Sequence, residues 1–175
     1  DEKEKAKTHE RFMTTFKDFV PDGVVPIIVT DAGFKNPWFK LVKSLGWDYV
    51  GRVRGETHCR QDAAETWHPV KSLYPSATRV AKELGSHTLA KSNPMETRLT
   101  LQKQLPQGRK DKTKDGQSTK QSSQSRKHAK REDEPWLLAT SLDKSQYAAS
   151  QLCKIYKTRM QIEESFKDLK TGVKY

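Results

Sequence analysis

The sequence predicts an α/β fold, because a helix, a strand, a second helix and a second strand follow one another within the first 55 residues. Residues 1–19 repeat aromatic side chains at helical spacing among Lys and Glu, which predicts an amphipathic helix ended by the turn at 21–23. The β-branched run at 24–29 is too short for a helix and predicts a buried strand. A second strand is predicted at 47–53. Since a strand, a helix and a strand joined by short links form a parallel unit, we expect a βαβ arrangement.

Between the two strands, the sequence carries start and stop signals for a helix. Asn36 can cap its beginning, Pro37 suits its first turn and Gly46 can close it. Asp31 comes at the carboxyl end of the first strand. In parallel sheets, functional residues gather beyond the carboxyl ends of the strands, so Asp31 is a candidate site residue. A turn or capping role explains an Asp at this position equally well.

Residues 56–142 have a different pattern, in which short apolar stretches alternate with turn residues. This pattern predicts a β-rich segment with weak strands at 67–70, 73–75 and 97–101 and a clearer strand at 136–140.

The most basic stretch of the chain is 107–131, which holds nine Lys or Arg, two Asp and almost no apolar side chains. Such a segment cannot bury enough apolar surface to order itself, and it predicts a flexible loop. The loop either touches a nucleic acid or is a solvated linker. The whole chain has a net charge of +11, which favours a polyanionic partner, nucleic acid first and an acidic membrane second.

Composition and spacing exclude several other classes of protein. No apolar run approaches the roughly 18 residues that span a bilayer, and no secretory signal opens the chain, so we expect no membrane partner. Cys59 and Cys153 lie far apart without zinc-type spacing and are predicted to be free thiols. The five histidines also lack ligand spacing and are interpreted as surface or packing residues.

Residues 143–175 predict a helix whose polar and apolar side chains separate into two stripes. At about 100° per residue, four side chains that can bind phosphate or metal fall within roughly 60° of arc. These are Tyr156, Arg159, Glu163 and Lys170. A narrow apolar stripe beside them would dock the helix on a core. The polar stripe suits a metal ion and nucleic-acid phosphates, although ion pairs on a solvated face produce the same pattern.

Two blocks of the sequence resemble bacterial insertion-sequence transposases of the DDE type, which are cut-and-paste enzymes. The spacing of Tyr156, Arg159, Glu163 and Lys170 is similar to the Y-R-E-K signature of that family. The stretch from Ile28 to Gly55 is similar to the family's block around its second catalytic Asp. Two blocks in the right order are far more specific than either one alone.

The resemblance implies a ribonuclease H-like catalytic core formed by residues 1–55 and 143–175, with 56–142 as a β-rich insertion before the Glu-bearing helix. In the family, the first catalytic Asp lies on a strand upstream of the helix that opens this chain. The core would therefore be incomplete, with its first strands missing. The chain would be a fragment of a longer gene or a decayed transposase, and catalysis by this chain alone is not expected.

The same resemblance assigns roles to individual residues. Asp31 and Glu163 would be catalytic and would bind two Mg²⁺ or Mn²⁺ ions, which serve the attacking and leaving oxygens of a phosphodiester. Trp136 resembles the residue that stacks on a base flipped from the DNA hairpin intermediate, whereas its sequence position alone favours the core. The residues expected to contact DNA are Arg52, Arg54, Trp136, Tyr156, Arg159 and Lys170. Exposed strand charges explain Arg52 and Arg54 equally well.

The resulting hypothesis is the catalytic-domain fragment of a DDE transposase that cleaves and transfers DNA strands at the ends of its own element. Its partner would be double-stranded DNA, with a homodimer in a synaptic complex as one option and no small-molecule substrate. The expected location is the bacterial cytoplasm, in association with the nucleoid. One alternative is a non-catalytic DNA-binding remnant. Another is a small basic RNA-binding protein, which explains the charge but not the spaced carboxylates. Dependence of nicking on Mg²⁺ or Mn²⁺ separates these hypotheses.

Overall fold

A computed structural model describes residues 2–61, 64–105, 134–162 and 165, with only the backbone described for 2–6. These residues confirm the α/β fold class, because helices pack on a mixed sheet of seven strands. In chain order the elements are α1 (Glu2–Lys17), β1 (Ile27–Thr30), α2 (Asn36–Ser44), β2 (Asp48–Val53), β3 (His58–Gln61), β4 (His68–Pro69), a 3₁₀ helix (Val70–Ser76), β5 (Lys82–Leu89), β6 (Met95–Gln102), β7 (Trp136–Thr140) and α3 (Ala149–Lys157). Among the described helices, none combines the length and apolar character that a bilayer crossing demands.

The strands lie in the order β1-β2-β7-β6-β5-β3-β4. The predicted parallel βαβ unit is confirmed, since β1 pairs with β2 in parallel, with Ile27 opposite Asp48. The other neighbouring strands are antiparallel. Strand β7 lies near the end of the inserted segment 56–142 and pairs with both β2 and β6, so it joins the parallel unit to the antiparallel part of the sheet.

Strand β1 begins later than the apolar run at 24–29 predicts. Val24 and Val25 precede the strand and are 52% and 57% exposed. Pro26 has no N–H to donate, and its carbonyl accepts a hydrogen bond from the Asp48 N–H at 3.0 Å. Pairing therefore starts at Ile27 and continues to Thr30, which leaves Asp31 directly after the strand.

The helix between β1 and β2 has the predicted position but a different start. Lys35 occupies the N-cap position without a side-chain cap, so the prediction that Asn36 caps the helix is wrong. The Asn36 amide instead donates to the carbonyls of Leu89 and Asn93, at 2.9 and 2.8 Å. These bonds tie α2 to the turn between β5 and β6. The predicted helix end is confirmed, because Gly46 follows α2 with φ +78°, where glycine is favoured.

The inserted segment agrees with the sequence only in part. The predicted strand at 97–101 lies inside β6, whereas the predicted strand at 67–70 is reduced to the two residues of β4. The strand predicted at 73–75 is wrong, since these residues lie in the 3₁₀ helix. Ser72 and Ser76 donate their hydroxyls to the carbonyls three residues earlier, which stabilises a turn instead of a strand. The sequence missed β3 and β5. The basic stretch 107–131 lies outside the described residues.

The sheet buries apolar side chains on both faces. On one face, Phe39 of α2 packs in the same cluster as Tyr49 and Val53 of β2. On the other face, Val50 packs with Leu152 of α3. Strand side chains alternate between faces, so α2 and α3 lie on opposite sides of β2. Both cysteines are buried and free, as predicted.

Candidate nucleic-acid interface

A cleft of about 360 Å³ lies beyond the carboxyl ends of the two parallel strands. The described residues that line it are Asp31, Ala32, Gly33, Arg52, Arg54, Tyr156 and Arg159. Five of these are site residues that the sequence predicts, and they come from three separate parts of the chain. The fold therefore brings one carboxylate, three guanidinium groups and a phenol together in one cleft.

Strand alternation explains why these side chains meet. Val50 packs on the α3 side of the sheet, so Arg52, two residues later, faces the same side. Along β1, Val29 packs against the α3 cluster. Asp31 follows two residues later at the strand end. The same side of the sheet carries α3, which brings Tyr156.

The Asp31 carboxylate is exposed at the exit of β1. Its Oδ1 accepts a hydrogen bond from the Gly33 N–H at 2.8 Å, which closes a tight local turn. A side chain at position 33 would place its Cβ 3.0 Å from this oxygen, so a glycine there leaves the carboxylate room. The geometry fixes Asp31 at the edge of the cleft.

Arg52 lies on β2 and is partly buried. Burial is the main cause that lowers the pKa of Arg52, and the charge of Arg54 lowers it further, whereas Tyr156 opposes the change. Its Nη2 donates to the Glu134 carbonyl at 3.1 Å. Its Nε is buried and has no hydrogen-bond partner among the described residues. An anion in the cleft would compensate this arrangement electrostatically.

Glu134 is a site neighbour that the sequence reasoning missed. Its Oε2 lies 3.9 Å from the Arg54 Nε, a loose ion pair with both side chains about a quarter exposed. The charge of Glu134 also contributes, after burial, to raising the pKa of Tyr74 to about 12. Its position just before β7 could have indicated this, because β7 is antiparallel to β2 and begins beside the end of β2, where Arg52 and Arg54 lie.

Tyr156 is 2% exposed, so most of its ring is covered. The centroids of the Trp136 and Tyr156 rings are 4.8 Å apart, and the interplanar angle of 74° makes the contact edge-to-face. The central guanidinium carbon of Arg159 lies 5.9 Å from the Tyr156 centroid, within the range of a cation–π contact. Trp136 is half-buried and packs behind Tyr156 without lining the cleft.

The helix that carries the predicted polar stripe tightens just after α3. Thr158 N–H donates to the Ile155 carbonyl and Gln161 N–H donates to the Thr158 carbonyl, both three residues apart. Such bonds are of the 3₁₀ type and mark a turn at Thr158, after which residues 159–162 are again α-helical. Glu163 and Lys170 lie outside the described residues. Their approach to Asp31 stays a prediction.

The chemistry of the described cleft suits a phosphate more directly than a bare cation. Asp31 offers the carboxylate oxygens that Mg²⁺ and Mn²⁺ prefer. Three guanidinium groups repel a cation and attract phosphate oxygens, which they can bind through two N–H groups at once. Within the described part of the chain, no cluster of three or more His, Cys, Asp or Glu is arranged to hold a metal ion. Asp31 fits as one metal ligand that needs further carboxylates.

Comparison with known families identifies the family of the chain. The family model described as "Transposase DDE domain" matches residues 4–174. The chain therefore belongs to the DDE transposase family, and the predicted family is confirmed, while the Y-R-E-K subtype stays a prediction. No curated protein and no solved structure matches the chain. Membership implies a transposition-related function, a nuclease or strand-transferase class of activity and DNA as the substrate. The mixed α/β sheet is consistent with a ribonuclease H-like domain.

Proposed function

We propose that this chain supplies part of a catalytic site that cleaves and transfers DNA strands at the ends of an insertion element. The observation that carries the proposal is the meeting of Asp31, Arg52 and Arg159 in one cleft, from segments more than 100 residues apart at the extremes. Unrelated surface charges would not be expected to come together from the end of one strand, the face of another and a helix. The family model supports DNA as the molecule that occupies this cleft.

The arginines would bind and orient the phosphodiester. Arg52 and Arg159 each present a planar fork that can donate two hydrogen bonds to the non-bridging oxygens of a phosphate. Because the guanidinium of Arg52 is partly desolvated, its attraction to a phosphate is screened less than that of a surface lysine. These contacts hold the phosphorus in position for an in-line attack.

Asp31 has the opposite electrostatic effect, since a carboxylate repels a phosphate. This repulsion is relieved if Asp31 holds a divalent cation, together with Glu163 as we propose. When bound, Mg²⁺ or Mn²⁺ would activate the attacking oxygen and stabilise the leaving one. The Gly33 N–H already orients Asp31 through its Oδ1, so its second oxygen would be the one offered to the cation at the rim of the cleft.

Trp136 is the proposed stacking residue for a displaced base. Its half-buried ring rests edge-on against Tyr156, which supports the indole from one side. Stacking a base on an aromatic side chain contributes about 1–3 kcal/mol. We further propose Lys170 as a backbone contact, two copies of the chain in the synaptic complex, and association with the bacterial nucleoid.

A non-catalytic DNA-binding protein is the second candidate function. The excess of three guanidinium groups over one carboxylate in the described cleft favours it. Such a protein would bind DNA through charge and would not depend on a divalent cation.

Binding and nicking of DNA by the full chain separate the two functions. Without metal, Asp31→Asn should bind a labelled duplex more tightly than the wild type, because a repulsive charge is removed. Addition of Mn²⁺ should then strengthen binding by the wild type and leave the variant nearly unchanged. Asp22→Asn, in the exposed turn after α1, is the matched control. If Mn²⁺ changes the affinity of all three proteins equally, Asp31 holds no cation at the DNA.

The same proteins should be incubated with supercoiled plasmid in Mg²⁺ or Mn²⁺. Nicking that disappears in Asp31→Asn and persists in Asp22→Asn supports the strand-cleaving function. Because this chain alone is not expected to cleave DNA, the Mn²⁺ response decides in the absence of nicking: DNA binding that Mn²⁺ changes equally in the wild type and Asp31→Asn supports the non-catalytic binder.

A further inference from the structure

Arg98 lies in β6, outside the cleft, and its guanidinium bonds to three residues from two other segments of the chain. Its Nε lies 3.0 Å from each carboxylate oxygen of Glu83, and its Nη2 lies 2.6 Å from Glu83 Oε2. Nη2 also donates to the Tyr147 carbonyl at 2.7 Å, and Nη1 donates to the Leu142 carbonyl at 3.1 Å. The Arg98 side chain is only 11% exposed, so solvent screens these bonds weakly.

A β-bulge presents Glu83 to this arginine. The register between β5 and β6 shifts between Glu83 and Gly85, and Gly85 has φ +79°, a conformation that favours glycine. The Gly85 N–H donates to Glu83 Oε1 at 3.1 Å. Bulges of this kind re-aim a side chain, and here the carboxylate is directed at Arg98. The ion pair is therefore built into the sheet.

The two carbonyls that Arg98 binds bracket the loop between β7 and α3. Leu142 lies two residues after β7, and Tyr147 lies two residues before α3. Inside the loop, Asp143 accepts hydrogen bonds from the backbone N–H and the hydroxyl of Ser145, which keeps it compact. Both ends of a compact loop are thus fastened to one guanidinium.

Fixing this loop fixes the beginning of the helix that enters the cleft. Tyr156 is nine residues after Tyr147, or roughly 14 Å along a helix at about 1.5 Å per residue. A tilt at the beginning of α3 therefore displaces Tyr156 and Arg159 relative to Arg52. The strands on the other side of the cleft are held independently by the sheet.

We propose that Arg98 is a positioning residue, which clamps the loop before α3 and so sets the approach of Arg159 and Tyr156 to the DNA-binding cleft. The inference rests on the proposed binding of DNA in that cleft. Arg98 itself does not line the cleft, so it acts through the helix and not through contact with DNA.

Arg98→Lys tests the clamp because it preserves the charge and removes the planar fork. One ammonium cannot reproduce the guanidinium's bonds to Glu83 and to both carbonyls. Arg60→Lys is the matched control, since Arg60 lies in β3 of the same sheet with its guanidinium 5.3 Å from the Trp67 ring. Affinity for a labelled duplex is measured at several salt concentrations, at a temperature well below the melting transition of each variant.

Arg98→Lys should weaken DNA binding by about the same factor as Arg159→Ala, on the order of tenfold for one charge-assisted phosphate contact. The double variant should bind no more weakly than either single variant, because both remove the same contact. Arg60→Lys should bind like the wild type. Glu83→Gln, which leaves Arg98 in place and weakens its anchor, should give a smaller loss in the same direction.

Two results overturn the proposal. One is wild-type affinity and salt dependence in folded Arg98→Lys and Glu83→Gln. The other is additive losses for Arg98→Lys and Arg159→Ala, which would make Arg98 a source of general stability only. If Arg98→Lys does not fold, Glu83→Gln is combined with Arg159→Ala instead. Additive losses in that double variant overturn the proposal, and non-additive losses support it. Failure of the wild type to bind DNA would instead refute the proposed function.

Discussion

Replacement of Arg52 by Met should separate the binding role of the cleft from its stability. The change removes one of three guanidinium groups and keeps an unbranched apolar stem of similar shape. Folding loses the hydrogen bond from Arg52 to the Glu134 carbonyl. The variant also removes two unfavourable features of the folded state, which are the buried Nε without a described partner and the repulsion between Arg52 and Arg54. These effects oppose each other, so we expect the free energy of unfolding to change by less than about 1 kcal/mol.

The expected change in DNA binding is larger and depends on salt. Each phosphate contact contributes about −0.9 to the slope of log affinity against log salt concentration. If all three cleft arginines contact phosphates, they contribute about −2.7, and a fourfold rise in salt lowers affinity about 40-fold through them. Without Arg52 the contribution is about −1.8, and the same rise in salt lowers affinity about 12-fold. The basic stretch 107–131 adds equally to both proteins and cancels in the comparison.

The assay is fluorescence anisotropy with a labelled duplex between about 50 and 200 mM salt, the range over which such slopes are usually resolved. Thermal melts monitored by circular dichroism accompany each titration. Arg60→Met, which removes an arginine outside the cleft, controls for net charge. Equal slopes for the wild type and Arg52→Met, or equal reductions in both variants, would show that Arg52 does not contact a phosphate and would refute the reasoning.

Three further outcomes follow from packing and burial. Gly51→Ala should destabilise the fold by about 1–3 kcal/mol in a denaturant melt, because the added Cβ would lie 2.4 Å from two carbons of the Phe39 ring; an unchanged midpoint would contradict that contact. Burial raises the pKa of the Cys153 thiol to about 11, so alkylation at pH 8 should be very slow until the protein unfolds. The neutral thiol is favoured in the fold, so its stabilising effect is complete below about pH 9 and is lost as the pH rises through 11. Trp136→Ala should lower the melting temperature, because the indole packs against Tyr156, and should leave the salt slope unchanged, since no cation is removed.

The sequence predicts the parts of the site that depend on local patterns. A β-branched run followed by Asp31 identifies a strand end, and alternation along 47–53 orients Arg52. Helical spacing places Tyr156 and Arg159 near one another. Each of these patterns repeats with the period of a single element, so one sequence is enough to detect it. That the three elements converge could be inferred only from the family resemblance.

Contacts between distant residues were missed for a physical reason. Asn36 looks like a helix cap because short polar side chains favour that position, yet its amide binds carbonyls 53 and 57 residues away. Arg98 and Glu83 look like ordinary strand charges, since nothing in their spacing reveals the bulge between Glu83 and Gly85. A polar side chain can satisfy its hydrogen bonds locally or across the fold, and only the tertiary arrangement decides which.

The position of Tyr156 changes how the polar stripe of the last helix is understood. Its ring is 2% exposed and contributes mainly to packing, and its predicted contact with DNA stays a prediction. It packs with Leu152 and Cys153 in the cluster that holds α3 on the sheet, and Arg159 lies one turn further at cation–π distance. The aromatic ring thus anchors the helix and supports the guanidinium that enters the cleft. The two described residues of the stripe therefore differ in role, because Tyr156 holds the helix on the sheet and Arg159 lines the cleft.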